Sequence, residues 1–202
     1  MKLSGNDRFW KIIRAIRKFR TTAFKLAFPA LLIEDVIEGK KPHELDLFDG
    51  IQIIAIFGAV LIIGGALLRL WARGHFFKGK LFTTGPYAIV RHPLYLGSTL
   101  IMIGVLCILN DWLNWAIIIP MIILFQGAAI LYEERQLEVR FGFKWLEYKK
   151  IVPTVIPSLG NLSFAIQSRW SWQSYYATTE RTATILFFLL PLLLEMFEET
   201  MF

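Results

Sequence analysis

The sequence predicts an all-α integral membrane protein with four to five transmembrane helices. Of its 202 residues, 55% are hydrophobic and 19% are charged, whereas a soluble domain carries about 25% charged residues. The mean hydropathy is +0.51, and the longest apolar runs can cross the ~30 Å hydrocarbon layer of a bilayer. This composition excludes a disordered chain, a fibrous repeat and an ordinary soluble enzyme. The single cysteine, Cys107, excludes an internal disulfide.

Residues 1–21 predict a basic amphipathic helix that lies in the membrane interface. Apolar residues recur at steps of three and four residues from Phe9 to Phe19, which is the period of one helical face. Lys and Arg residues occupy most other positions between Arg8 and Arg20. Such a helix is expected to contact anionic lipid on the cytoplasmic side of the membrane, and nucleic acid is not expected as a partner.

Residues 22–78 are predicted to form the N-terminal membrane helices. The run at 22–38 is interrupted by Lys25 and Pro29, so its full crossing of the membrane is left open. The run from Ile51 to Leu70 is a clear span, since Gln52 is its only polar side chain before Arg69.

Residues of about 94–132 predict a helical hairpin. Two apolar runs, 94–109 and 112–132, are joined only by the turn at Asn110 and Asp111. Both open ends should therefore return to the same side of the membrane. Residues 160–202 are predicted to hold an interfacial segment and a C-terminal hydrophobic helix at 183–197, whose crossing is also left open because Pro191 and Glu195 interrupt it.

The distribution of Lys and Arg predicts a multi-pass protein whose large loops face the cytoplasm. With a cytoplasmic amino terminus and a spanning first segment, only Lys40 and Lys41 would face the other side. The residues then placed in the cytoplasm are Lys78, Lys80, Arg91, Arg135, Arg140, Lys144, Lys149 and Lys150.

Chemistry-bearing side chains gather at the open end of the predicted hairpin. The stretch from Lys80 to Tyr95 reads KLFTTGPYAIVRHPLY, and the other end of the hairpin reads YEERQLEVRFG. Ionisable groups at membrane depth are costly unless they are paired or functional. Taken singly, Arg91 is also explained by snorkelling to the headgroups, and His92 by a role at a helix start. Glu133 and Glu134 point about 100° apart on a helix, so only one should face a pocket.

The motifs GPYAIVRHPLYLG and EERQLEVRFGFKWLEYKKIVPTVIP together resemble the isoprenylcysteine carboxyl methyltransferase family. That family belongs with the phospholipid methyltransferases among integral-membrane enzymes that use S-adenosyl-L-methionine. The resemblance covers roughly Leu81 to Leu159 and implies a methyltransferase core at residues 79–159 with cytoplasmic cofactor-binding loops.

The resemblance also implies which residues bind the cofactor. By position, these are Gly79, Lys80, Leu81, Phe82, Tyr87, His92, Pro93, Leu94, Tyr95 and Glu133. Arg91 and His92 are candidates for positioning, and neither a covalent nucleophile nor a metal is expected. The methyl acceptor would be lipid-like, or a small thiol or carboxylate. The prenylcysteine-specific members carry an Arg one helical turn before the Glu pair, where this sequence has Ala129, so the acceptor is not identified.

Two other functions are compatible with the same residues. One is an NADPH-dependent membrane reductase related to sterol reductases, in which Lys80, Arg91, Lys149 and Lys150 would bind the additional phosphate. The other is a non-enzymatic membrane scaffold that binds anionic lipid through its basic helix. The scaffold leaves the gathered His, Glu and Tyr residues unexplained.

Overall fold

The computed structural model describes residues 7–40, 53–75, 79–109, 111–167, 170–171 and 189. All regular secondary structure in these residues is helical, as predicted. The helices are α1 (Asp7–Ile37), α2 (Ile53–Gly74), α3 (Pro93–Leu109), α4 (Trp112–Phe141), α5 (Phe143–Ile151) and α6 (Leu162–Gln167). The chain divides into a first unit, Met1–Lys40 with Asp111–Phe143, and a second unit, Lys41–Asn110 with Lys144–Phe202.

Helix α1 is longer than the sequence patterns predict. The interfacial helix and the weak membrane segment were expected as separate elements, but α1 continues unbroken from Asp7 to Ile37 and includes Pro29. No Gly or Pro stands between residues 8 and 28, so nothing in the sequence ends the helix between the two patterns. The helix ends at Ile37, and the turn that follows contains Gly39, whose φ of +66° allows the Lys40 amide to bond the Asp35 carbonyl oxygen at 2.9 Å.

In the first unit, α1 packs antiparallel to α4. Arg17 of α1 stacks over the ring of Tyr132 at 4.1 Å, while Phe24 meets Phe125 edge-on with 5.9 Å between ring centroids. Residues later in α1 thus contact residues earlier in α4. These contacts combine ring packing with attraction between a guanidinium and an aromatic face, so basic residues of the amphipathic pattern also hold the helix pair together.

In the second unit, α2 packs antiparallel to α3 through two pairs of glycines. A Cβ atom added to Gly58 would lie 2.6 Å from the Gly104 carbonyl oxygen, and one added to Gly65 would lie 2.5 Å from that of Gly97. The two backbones therefore touch directly. Small residues commonly allow this close approach between membrane helices, where lipid removes most of the hydrophobic drive for association.

Two of the described helices, α2 and α4, are long and apolar enough to cross a membrane, and α3 is apolar but shorter at 17 residues. This agrees with a membrane protein, while the number of four to five spans stays a prediction. Helix α4 extends beyond the predicted end of the hairpin and carries Glu133 and Glu134 on its C-terminal part. The predicted helix at 183–197 lies outside the described residues, apart from Leu189.

The remaining described segments of the second unit pack against α2 and against the loop between α2 and α3. The short helices α5 and α6 follow α4 in the sequence and flank an irregular stretch at 152–158 that contains several bends. Trp170 lies on Gly74 at the end of α2 and donates its indole N–H to the Leu70 carbonyl oxygen at 3.4 Å. The Ser171 amide bonds the Gly74 carbonyl oxygen at 2.9 Å, so this part of the chain returns to α2.

Candidate active site

The loop from residue 79 to 92 turns sharply between α2 and α3. Gly79 has a φ of +94° and Gly85 a φ of +62°, a backbone region that residues with a Cβ rarely adopt. Gly85 opens a 3₁₀ turn, Gly85–Ala88, and a Cβ at this position would lie 2.6 Å from the ring of His75. The ring of His75 is buried, and its Nδ1 lies 3.0 Å from the Trp71 carbonyl oxygen. Because a carbonyl oxygen only accepts, Nδ1 carries the proton in this bond.

The centre of the loop is anchored by a small apolar core. Residues 88–90 are buried and pack with Ala165 of α6, and Trp71 and Leu96 lie against the same cluster. The side-chain amide of Asn161 donates to the Ala88 carbonyl oxygen at 3.3 Å. These contacts fix the position of the loop between the end of α2 and the chain that follows α5.

A second set of contacts joins the RHP motif to the VPTVIP motif through the backbone. The amide–carbonyl pairs are Arg91 to Pro153 at 2.8 Å, His92 to Thr154 at 3.3 Å and Ser158 to Ile89 at 2.9 Å. The two motifs are about 60 residues apart in the sequence but lie side by side in the second unit. The irregular stretch at 152–158 therefore forms a wall along the loop.

The side chain of Arg91 reinforces this wall and does not snorkel to the headgroups. Arg91 is only 9% exposed and donates from Nη1 to the Lys149 carbonyl oxygen at 3.1 Å. Its Nη2 donates to the Thr154 hydroxyl. The guanidinium also lies 5.7 Å from the ring centroid of Trp145, which is within reach of a cation–π attraction. Arg91 thus ties α5 and the irregular stretch at 152–158 to the start of α3.

The side chain of Tyr148 contacts the backbone of Tyr87 and fixes its position. The phenol of Tyr148 donates to the Tyr87 carbonyl oxygen at 2.7 Å, and the ring of Tyr87 lies 5.5 Å from that of Phe82. Burial raises the pKa of the Tyr148 phenol, with a smaller contribution from Tyr87, so the hydroxyl stays protonated as the donor.

His92 stands immediately before Pro93, the first residue of α3. Its carbonyl oxygen accepts from the amides of Tyr95 at 3.1 Å and Leu96 at 3.0 Å, so its backbone begins the helix. Proline suits the following position because the first helical turn needs no donor there. The buried imidazole ring lies 5.7 Å from the ring of Tyr95, and together they form an aromatic patch at the start of α3.

The structure brings most of the predicted cofactor-binding residues into one region of the second unit. Gly79 and Lys80 are exposed, and Leu81, Phe82, Leu94 and Tyr95 are half-buried, whereas Tyr87, His92 and Pro93 are buried. Glu133 is half-buried on α4 and belongs to the first unit, so its approach to His92 stays a prediction.

Sequence reasoning did not single out several residues that build this region. Trp145, Tyr148 and Thr154 belong to the FKWLEYKKIVPT stretch, so their place in a shared motif was a usable signal. His75 lies in no motif, and nothing in the sequence indicates that its ring packs on Gly85.

Comparison with known proteins supports the resemblance. Residues 53–144 match the family model described as phospholipid methyltransferase. Protein-S-isoprenylcysteine O-methyltransferase B of Arabidopsis thaliana is 32% identical over 117 residues, which is 52% of this chain and 59% of the relative. The corresponding enzyme of Schizosaccharomyces pombe is 27% identical over 155 residues, covering 77% of this chain and 61% of the relative. That of Saccharomyces cerevisiae is 29% identical over 151 residues, covering 67% and 63%.

The chain therefore spans 59% to 63% of the length of these three relatives. No solved structure matches it significantly. The family match covers α2, the loop, α3 and α4, which include every residue of the RHP motif. These matches confirm the resemblance found in the sequence: residues 53–144 are similar to the phospholipid methyltransferase family model, and the chain is similar to protein-S-isoprenylcysteine O-methyltransferases.

Proposed function

We propose that the protein transfers the methyl group of S-adenosyl-L-methionine to an amphiphilic acceptor at the cytoplasmic face of a membrane. The observation that carries the proposal is that the family match, residues 53–144, includes the loop with the positive-φ residues Gly79 and Gly85 and also includes the RHP motif. The second support is the way the VPTVIP stretch braces this loop through paired backbone hydrogen bonds. A loop held from two sides can bind a cofactor without a large cost of ordering.

The side chains of the loop fit S-adenosylmethionine by their chemistry. Phe82, Tyr87 and Tyr95 offer aromatic faces, which suit both an adenine ring and a cationic sulfonium. His92 and nearby backbone amides offer donors for a carboxylate. The buried indole N–H of Trp145 has no hydrogen-bond partner among the described residues, so the wall beside Arg91 still contains a donor.

Within the proposed site, exposed and buried residues have different tasks. Gly79, Lys80, Leu81, Phe82, Leu94 and Tyr95 are at least partly accessible and would contact the cofactor directly. Tyr87, His92 and Pro93 are buried and would form its floor, while Arg91 positions the floor through Lys149 and Thr154. Glu133 would place a carboxylate beside the cationic groups of the cofactor. The bound cofactor supplies an electrophilic methyl group, and the protein holds the partners in line and excludes water.

The acceptor is proposed to be lipid-like, or a small thiol or carboxylate. The three relatives are named for isoprenylcysteine, but the position where the resemblance expects an Arg is Ala129 here. Ala129 is fully buried, so a guanidinium would not fit at this point without displacing its neighbours. An acceptor carboxylate would therefore need another cationic partner than in the prenylcysteine-specific members.

The proposed contact with the membrane surface is based on the basic residues of α1. Phe9, Ile12 and Phe19 of α1 are exposed, and so are most of its Lys and Arg residues. An apolar edge bordered by cations suits the interface of an anionic leaflet. Two arginines also make contacts inside the first unit: Arg17 stacks on Tyr132, and Arg135 stacks on Trp10. Anionic lipid on the cytoplasmic side is thus the proposed membrane partner.

Ligand binding to the purified full chain in mild detergent tests the reaction class. Calorimetric titration with S-adenosylhomocysteine should give saturable binding, and NADPH in parallel should give none. Binding of NADPH alone would replace the methyltransferase with the reductase, and binding of neither would favour the scaffold. In the reductase, Arg91 would bind a phosphate of NADPH. Its guanidinium, however, already donates to the Lys149 carbonyl oxygen and to the Thr154 hydroxyl.

Adjacent carboxylates on α4 provide a matched pair of variants. Glu133→Gln should weaken S-adenosylhomocysteine binding by about tenfold, because a charged hydrogen bond contributes ~1.5–3 kcal/mol and tenfold corresponds to ~1.4 kcal/mol. Glu134→Gln should change it by less than about twofold, because the next residue on a helix points about 100° away. Equal losses would show that the wrong carboxylate was assigned. His92→Ala should also weaken binding while the variant stays folded, and normal binding would leave His92 as a helix start only.

A further inference from the structure

Charged side chains gather in the first unit where α1 ends and α4 begins. The turn at Gly39 brings Lys40 back against the last turn of α1. Its Nζ atom then reaches Glu34 at 3.0 Å, Glu38 at 2.8 Å and Asp111 at 3.3 Å. Three carboxylates thus contact one ammonium group, and a fourth, that of Asp35, lies beside Glu34 and Asp111 in the same cluster. Asp35 and Asp111 are 5% and 4% exposed, so two of the carboxylates lie away from water.

The cluster also contains oxygen atoms that no donor satisfies. Three side-chain oxygens of the cluster are buried without a hydrogen-bond partner: Glu34 Oε2, Asp35 Oδ1 and Asn114 Oδ1. Within the described part of the chain, these are all the buried side-chain oxygens that lack a partner; the other such atoms are N–H groups. Unsatisfied acceptors are rare in folded proteins, and three in one place call for a common explanation.

Asn114 is an independent element of this arrangement, because it is neither acidic nor exposed. Its side chain is 0% exposed, and its Nδ2 donates to Asp35 Oδ2 at 2.8 Å. Its backbone amide donates to Asp111 Oδ2 at 3.3 Å, so Asp111 caps α4. The amide group is thus fixed against the carboxylates, while its own oxygen remains without a donor. Carboxylate oxygens of Glu34, Asp35 and Asp111 lie within 4.8 Å of one another.

We propose that this cluster, Glu34, Asp35, Asp111 and Asn114, binds a hard divalent cation of the calcium type. Carboxylate and amide oxygens are the ligands that such ions prefer. Calcium accepts irregular sets of oxygen ligands, whereas magnesium requires near-octahedral geometry and gives up its water reluctantly. Lys40 neutralises one carboxylate at most, so the buried negative charge needs a further positive partner. The proposal does not rest on the methyltransferase activity, since none of its four residues is among the proposed cofactor-binding residues.

The site can be tested by terbium luminescence on the purified full chain after treatment with a chelator. Terbium replaces calcium at oxygen sites, and Trp112 and Trp115, within two residues of Asn114 in the sequence, serve as energy donors. The wild-type protein should give saturable terbium emission that calcium displaces, and magnesium should displace it less effectively. Absence of saturable emission from the folded protein, or emission that calcium leaves unchanged, would overturn the proposal.

Two variants separate a cation site from a group of surface charges. Asp35→Asn should weaken displacement by calcium at least about tenfold, because even supporting residues around metal sites cost 10–100-fold. Glu38→Gln is the control from the same cluster, since its side chain is 54% exposed and is not a proposed ligand, although it touches Lys40 and Glu34, and it should change displacement less than about twofold. If Asp35→Asn does not fold, Glu34→Gln removes another proposed ligand charge. Equal effects of the ligand and control variants would refute the site. Greater stability of Asp35→Asn in calcium-free buffer, without terbium binding by the wild type, would mean that the cluster holds a proton instead.

Discussion

Adjacent glycines on α2 allow a direct measurement of how closely α2 and α3 pack. Gly65 faces α3, and a Cβ there would lie 2.5 Å from the Gly97 carbonyl oxygen and 2.9 Å from Ile101 Cγ1. Gly64 precedes it on the same helix, and a Cβ there would meet no atom within 4 Å. The pair Gly65→Ala and Gly64→Ala therefore adds the same methyl group to the same helix, once inside the contact and once outside it.

The expected difference follows from two opposing terms. Both substitutions gain about 0.5–1 kcal/mol, because glycine is the less stable residue in a helix interior. Only Gly65→Ala also overpacks the contact, which typically costs about 1–3 kcal/mol. Relieving it requires the two backbones to separate by several tenths of an ångström, since contacts of this kind lie at about 3.5–4.0 Å. The free energy of unfolding should thus differ by about 1–3 kcal/mol between the variants, or roughly 2–12 °C in Tm.

Thermal unfolding in detergent, followed by circular dichroism, measures this difference. Gly64→Ala should match or exceed the wild type, and Gly65→Ala should unfold at a lower temperature than Gly64→Ala. Gly97→Ala approaches the contact from the other side, where its Cβ would lie 2.7 Å from the Gly65 carbonyl oxygen, and should also lower Tm. If all three variants have the same Tm, the backbones of α2 and α3 do not touch and the packing described above is wrong.

Further predictions concern the braced loop. Arg91→Lys should lower the free energy of unfolding by about 1–3 kcal/mol in chemical unfolding, because lysine cannot donate to Lys149 and Thr154 while stacking on an aromatic ring; an unchanged value would contradict the bracing role. Tyr148→Phe should cost about 1–3 kcal/mol at neutral pH, because it leaves the Tyr87 carbonyl oxygen without its donor. Since burial raises the pKa of Tyr148, this stabilisation is complete below pH about 10 and is lost as the pH rises toward the raised folded-state value, so unfolding curves of wild type and variant should converge only in alkali.

Much of the fold was predictable because membrane helices depend on local composition. The apolar run beginning near Ile51 predicted α2, and Pro93 and Asp111 marked the starts of α3 and α4. The end of α4 was less predictable, because the charged residues from Glu133 onward continue the helix to Phe141 without an apolar signal. The separation of α1 into two elements was not observed, since changes in amphipathicity alone do not break a helix.

The candidate site was predictable only in part. The RHP motif and the Tyr87 loop were visible through their resemblance to a family, and the structure gathers them in the second unit. The opposite wall was not visible, because hydrogen bonds between Arg91 and Thr154 join residues 63 positions apart and leave no periodic pattern. The contact between Gly85 and the ring of His75 was likewise not predictable, because no local sequence pattern relates these two positions.

The sequence alone determined that this chain is helical, apolar and similar to membrane methyltransferases, because composition, helix starts and shared motifs are properties of consecutive residues. Only the tertiary structure decided which glycines touch, which arginine braces the loop and which buried oxygens lie together beside Asp35. Those outcomes depend on the register between helices distant in sequence, and register is set by close packing and by the pairing of buried polar groups. One turn of slippage between α1 and α4 would separate Asn114 from Asp35 while leaving every sequence pattern intact.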